Sequence, residues 1–280
     1  MKSICFFIVL ILSFPILIRG QAKWQLKNMH GNVVWGLGGN NGFTWMDLKN
    51  QSKDPSFPDY STSGLVPSHG LIDIRLDGLI STSITAGFYP YSKKRKEYNG
   101  RKEWQVGIFY NYIAMAGPKY QNQRHYPYPP PDTMNYLYLK FNERRQYLGI
   151  TNSITFRTNP ESRMNVFGGA TLTTGVGVAG KINAYSAKSM SVITDSGSYR
   201  VMYNVEENSH YQTYSATLLG VKVFDGLGIR FLHHYYFSIQ GGFDFGPVFF
   251  YHSSIGGEFF LFESADLSIP LNNYSVKRKR

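Results

Sequence analysis

HGLIDIRLDGLISTSITAGFYP, residues 69–90, decides the fold class. Its apolar side chains fall on even positions: Ile72, Ile74, Leu76, Ile80, Ile84, Ala86 and Phe88. The odd positions include Asp73, Arg75, Asp77, Ser81, Ser83, Thr85 and Tyr89. A period of two is that of an extended strand, because successive Cβ atoms point to opposite faces of a sheet. Strands of soluble domains usually stop after about five or six residues. A strand this long, apolar on one face and charged or hydroxylic on the other, suits a membrane-spanning β-barrel with a polar interior. An alternating wall also hides its membrane character from averages, so the mean hydropathy of −0.26 does not argue against it.

The N-terminus points to export. Lys2 precedes an apolar run, Ile4 to Ile18, broken only by Ser13 and Pro15, and Arg19 to Ala22 close it. Residues 1–20 read as a secretory signal peptide; an uncleaved anchor would want about 20 apolar residues. The single cysteine, Cys5, lies inside this segment, so the mature chain is expected to fold without disulfides. No later run approaches the length of a spanning helix. Aromatics make up 16% of the chain, with 21 Tyr and 20 Phe, against 17% charged residues and 28 Gly. That balance favours β-structure with aromatic girdles at membrane interfaces. The formal charge of +11 becomes +9 without Lys2 and Arg19. The excess gathers at Lys93–Lys96, Arg101, Lys102 and the tail Lys277–Arg280. In an exported chain such runs read as turns touching anionic lipid, and no nucleic-acid partner is expected.

Six further segments carry the alternation, 32–46, 103–115, 146–157, 164–180, 229–241 and 247–262, and a seventh, 211–224, is strand-like with ambiguous facing. The expectation is an all-β, closed, antiparallel up-and-down transmembrane barrel of eight strands. A hairpin at Asp77–Gly78 would raise the count, with ten as the alternative. The connections are then 47–68, 91–101, 116–145, 158–163, 181–210, 225–228 and 242–246. Long ones (47–68, 116–145, 181–210) alternate with short ones through the first six, and long loops face the exterior in bacterial outer-membrane barrels. The expected organisation is a signal peptide (1–20), a periplasmic segment (21–31), the barrel (32–262) and a basic periplasmic tail (263–280). Loop 116–145 carries the stiff HYPYPPPD (125–132) and then NYLYLKFNERRQYL, a candidate hairpin beyond the membrane. Trp35, Trp45, Trp104, Tyr110, Tyr235 and Tyr251 share the apolar parity as girdle candidates.

The signal peptide, WGLGGNNGF (35–43) and YLGITNSITFRTNPESRMNVFGGATLTTGVG (147–177) resemble small outer-membrane β-barrel proteins of the PorT-like group. The second stretch is similar to that group's central hairpin. The resemblance implies a bacterial outer-membrane location. The chain departs from many such proteins in ending on SVKRKR and not on an aromatic residue.

Chemistry has one candidate. His252, Ser254 and Glu258 share a parity, similar to the His-x-Ser pair with Glu of barrel lipid A deacylases, where a base activates the serine and a carboxylate orients the base. That parity is the polar one and is expected to face the lumen, so no catalytic residues are assigned. His30, His69, His125, His210, His233 and His234 lack metal-ligand spacing. GLGGNNG (36–42) lacks the Lys-Ser/Thr ending of a phosphate loop and reads as glycines easing curvature. No metal or cofactor is expected. Asp73, Arg75, Asp77, Arg157 and Glu258 read as an interior salt-bridge network. In an eight-stranded barrel side chains just fill the interior.

The expected function is a non-catalytic outer-membrane barrel with a structural, adhesion or assembly and secretion-accessory role. Expected contacts are outer-membrane lipid and lipopolysaccharide, with a protein partner at 116–145 and 181–210, the barrel itself being a monomer. Two alternatives stay open: a lipid A-modifying hydrolase using His252 and Ser254, and a soluble secreted lipocalin-like barrel. A lipocalin would enclose its apolar faces and expose its polar ones.

Overall fold

The computed structural model describes residues 23–40, 45–57, 65–67, 77–92, 97–98, 100–122, 133–159, 162–193, 199–231, 235–250 and 255–271. The chain runs β1 (Lys23–Asn40), α1 (Trp45–Gln51), β2 (Leu65–Pro67), β3 (Asp77–Ser92) and β4 (Glu97–Tyr98). It continues through β5 (Lys102–Asn122), β6 (Thr133–Arg157), β7 (Met164–Ile193) and β8 (Tyr199–Gln212). It closes with β9 (Ala216–Phe231), β10 (Tyr235–Phe250) and β11 (Ile255–Pro270). Eight of these strands form a ring, β1–β3–β5–β6–β7–β9–β10–β11, closed by antiparallel pairing of β11 with β1. Asp77–Gly78 is no hairpin: Gly78 pairs with Leu37 on one side and Ala114 on the other. The first half of the deciding stretch, with Asp73 and Arg75, lies outside the described residues.

Exposure is inside out. Leu37, Ile80, Ile84, Ile108, Leu227 and Leu261 point outward and are each 57–62% exposed. Ser81, Thr85, Asn111, Thr151, Thr173, Ser238 and Ser264 point inward and are buried. That distribution is the inverse of a lipocalin and overturns the soluble-barrel alternative. At the rim where β1 begins and β11 ends, Trp104 packs against Trp24 (6.2 Å) and Phe88 (5.3 Å), and Phe231 stacks on Tyr235 (5.7 Å). Such aromatic bands suit a membrane–water boundary. Close inter-strand approach accounts for part of the glycine content: a Cβ at Gly38 would collide with the Phe259 carbonyl and Phe260 Cδ1.

Several expected boundaries are corrected. The ring begins at Lys23 and ends at Pro270, in place of 32 and 262. Residues 225–228 and 242–246 are not turns; they sit inside β9 and β10, and the connections are 232–234 and 251–254. The parity pattern is blind to these reversals. Phe231 opposes Tyr235, and Phe249 opposes Ile255, so odd residues stay outward through both. Residues 116–145 and 181–210 are mostly strand, not loop. NYLYLKFNERRQYL lies within β6 and is not a hairpin by itself. Trp45 leaves the girdle: it starts α1 and is 8% exposed.

Asp225 follows from this correction. It faces outward from mid-strand, opposite Gly241, which in turn opposes Glu263. Trp35 Nε1–H donates to that glutamate (3.2 Å). Charge on the lipid side of a barrel is destabilising, less for acids than for bases. Asp225→Leu is therefore expected to stabilise the barrel by about 1 kcal/mol, read as a higher urea midpoint in lipid; an unchanged or lower midpoint would contradict a lipid-facing Asp225.

Candidate functional site: a filled lumen beneath a raised sheet

The ring closes on three internal layers. Near the rim where β1 begins and β11 ends, His30 from β1 lies between two carboxylates, Glu103 of β5 (2.7 Å) and Asp266 of β11 (3.0 Å). Only a doubly protonated ring donates from both nitrogens. Arg157 at the end of β6 reaches the other Glu103 oxygen (2.6 Å), donates to the Tyr89 hydroxyl (3.0 Å) and lies over the Tyr236 ring (5.1 Å). Gly87 makes room for this cluster, since a Cβ there would fall on Glu103 Oε1 and 2.8 Å from His30 Nε2. The sequence singled out Arg157 but not Glu103 or His30. Glu103 sits at the inward parity of a strand correctly read, so only its cross-barrel register was missing; His30 falls in the segment 21–31 that was expected to precede the barrel and is instead part of β1.

The middle layer holds a cavity of about 70 Å³, lined by hydroxyls such as Ser81, Thr85, Ser153 and Thr171 and floored by aromatic rings including Phe109 and Phe224. At about 10–15 Å³ per water centre it accommodates a handful of waters. Lys222 pairs with Asp244 (3.3 Å) beside it. Asp77 is fully buried and accepts from Ala116 N–H (2.8 Å), and Glu258 is also buried inward. The expected single salt-bridge row is thus divided: Arg157 belongs to the lower cluster, Asp77 and Glu258 lie higher.

The upper layer is a cap. α1 crosses the far mouth and buries Trp45 and Leu48, with Phe57 following. Phe57 contacts Tyr211 (4.8 Å) and stacks on Phe141 (6.0 Å), and Trp45 N–H donates to the Tyr120 hydroxyl (2.7 Å). Arg145, 2% exposed, pairs with Glu143 and donates to the Gln51 side-chain carbonyl and Tyr214 O (3.4 Å). Backbone bonds from Lys53 to Gln212 and from Tyr214 to Gln51 (2.8 Å each) stitch the cap to the end of β8 and the residues that join it to β9. Ser56 donates twice to Asp54 Oδ1 in the exposed turn, which holds that carboxyl below its ordinary range.

Beyond the cap, β5, β6 and β7 continue past the ring, and β8 folds back along β7. From Lys181 to Ile193 that is roughly 40 Å of strand at about 3.3 Å per residue. A bulge at Gln146/Tyr147, which skips Val178 on β7, marks the start of this extension. It shifts parity, so Val176 and Val178 face out while Ile182 faces in. The aromatic and aliphatic inner face of the sheet holds the cap. Tyr138 and Tyr185 pair on its other face (6.3 Å).

His252 and Ser254 lie outside the described residues, as do His69, His125–Asp132, His233 and His234, residues 1–22 and the tail from 272. Glu258 faces the lumen. Among the described residues no group of three or more His, Cys, Asp or Glu is placed to hold a metal.

The fold and its contents define a class: a closed eight-stranded antiparallel barrel with an apolar exterior, a filled lumen and a raised sheet on one rim. Solved structures similar to it are outer-membrane barrels. Neisserial surface protein A shares 13% identity over 86% of this chain and 96% of its own, with a TM-score of 0.30. Ail, the attachment invasion locus protein of Yersinia pestis, shares 8% over 87% and 99%, with a TM-score of 0.24. No protein-family model matches the chain, and neither does any curated protein.

Proposed function

We propose that this chain is an exported, non-catalytic barrel of a bacterial outer membrane that works through its raised sheet, in a structural, adhesion or assembly role. The inside-out exposure carries this reading: an apolar belt is stable against lipid acyl chains and costly against water. The rim where β1 begins and β11 ends faces the periplasm, and the capped rim, which carries the raised sheet, faces the exterior. Lipid and lipopolysaccharide surround the belt, and partners meet the sheet built from parts of 116–145 and 181–210. Affiliation with the PorT-like group rests on 35–43 and 147–177.

Refolded into detergent or lipid, the protein is expected to migrate differently on a denaturing gel before and after boiling. In planar bilayers it is expected to give no stepwise conductance, because three layers fill the lumen. Solubility without detergent and a single heat-independent band would overturn the membrane reading, and steady single-channel steps would overturn the closed lumen.

A further inference from the structure

The raised sheet ends in an open edge. β8 pairs with β7 from Ile193–Tyr199 to Lys181–Gln212, and no described strand lies on its other side. The lower end of that free side is already used: Lys53 N–H donates to Gln212 O (2.8 Å), and Ser52 bridges antiparallel to Thr213. Thr213 N–H turns the opposite way, to Gly180 O on β7 (3.1 Å). Successive residues of a strand direct their backbone groups to alternate sides. The groups of Asn204, Glu206, Asn208 and His210 therefore point off the free edge, in step with Gln212. All four residues are exposed. An edge of this kind is a template for another strand.

We propose that this edge pairs antiparallel with the same edge of a second copy of the chain embedded in a facing membrane. The proposal rests on the outer-membrane reading above and names the partner of the raised sheet. Self-pairing is favoured by the side chains. Centred on Asn208, the two edges set Asn208 against itself and Glu206 against the partner's His210, twice by symmetry. Centring on Glu206 or Glu207 would oppose like carboxylates, which is destabilising across strands. Within 204–210 only the Asn208-centred register sets a basic residue directly opposite Glu206.

The orientation follows from symmetry. Two identical antiparallel strands are related by a two-fold axis normal to their sheet, and an isologous contact uses the same surface on both copies. This sheet continues the barrel wall and so stands along the membrane normal. The axis therefore lies in the membrane plane and turns the second barrel upside down. Two barrels of one membrane cannot meet in this way, while two facing membranes can. Each ladder is short, and many copies across a contact zone act together.

The test uses full-length protein refolded into two vesicle populations carrying donor and acceptor fluorophores. Wild-type vesicles are expected to cluster, and only when both populations carry protein. In Asn208→Pro the missing N–H faces off the edge, so pairing with β7 and heat-modifiable migration are retained, while clustering falls to the protein-free background. Vesicles bearing Glu206→Lys are expected to cluster with vesicles bearing His210→Glu better than His210→Glu vesicles cluster with themselves. Clustering with protein-free vesicles, undiminished clustering of Asn208→Pro, or no rescue in the mixed pair would each overturn the proposal. Loss of heat-modifiable migration in the wild type would instead overturn the membrane reading itself.

Discussion

Glu103→Ala is expected to cost the barrel about 3–5 kcal/mol, the loss found when one partner of a buried ion pair is removed. The side chain is fully buried and is shared between His30 and Arg157. Without it two cations remain inside the ring with Asp266 as the one carboxylate paired to His30. Glu103→Gln keeps one acceptor oxygen, for either His30 or Arg157, and is expected to recover part of the loss. Trp104, next along β5, reports the transition by fluorescence during urea unfolding in lipid. A shift below about 1 kcal/mol for the alanine variant would mean that water or another group compensates the cluster, against the burial seen here.

Arg145→Ala should be as costly, about 3–5 kcal/mol, yet its damage is predicted to stay at the far rim. The substitution strands the Glu143 carboxylate, 1% exposed, and unties the cap from Arg145's bonds to Gln51 and Tyr214. Lys49 and Lys53, at the end of the cap helix and just after it, should then be cut readily by trypsin while the ring stays folded. Removing both charges in Glu143→Leu/Arg145→Met is expected to recover the part of the loss that comes from the stranded carboxylate, since a buried pair replaced by apolar groups is often neutral or better. The bonds to Gln51 and Tyr214 stay lost. Resistance of the Arg145→Ala cap to trypsin would show that packing of Leu48, Trp45 and Phe57 suffices to hold it.

The sequence places Glu103 on the inward parity without revealing its neighbours, whereas Glu143 and Arg145 fall in the stretch 116–145 that reads as an outer loop. Alternation over 69–90 makes the wall legible, because facing depends only on residue parity. The number of ring strands followed from it, even though two turns were placed wrongly. The Asp225–Gly226 dipeptide carries a strong turn signal, but two neighbouring strands hold it extended. The true reversal at 232–234 leaves parity unchanged and so leaves no trace in the pattern. The raised sheet was hidden for a different reason: the bulge at Val178 shifts the facing pattern, and beyond it Ser, Tyr and Asn blur the contrast. The cap was illegible because α1 has only seven residues, too few to establish a helical period.

The continuity of β6 and β7, 25 and 30 residues without a break, has a mechanical consequence. No linker or hinge separates the part of these strands in the ring from the part above it. A pull applied at the top of the sheet runs along the strands, so it loads many inter-strand bonds at once in shear and does not peel them open one by one. The embedded ring and the exposed blade behave as one stiff lever, with the surrounding membrane as its anchor.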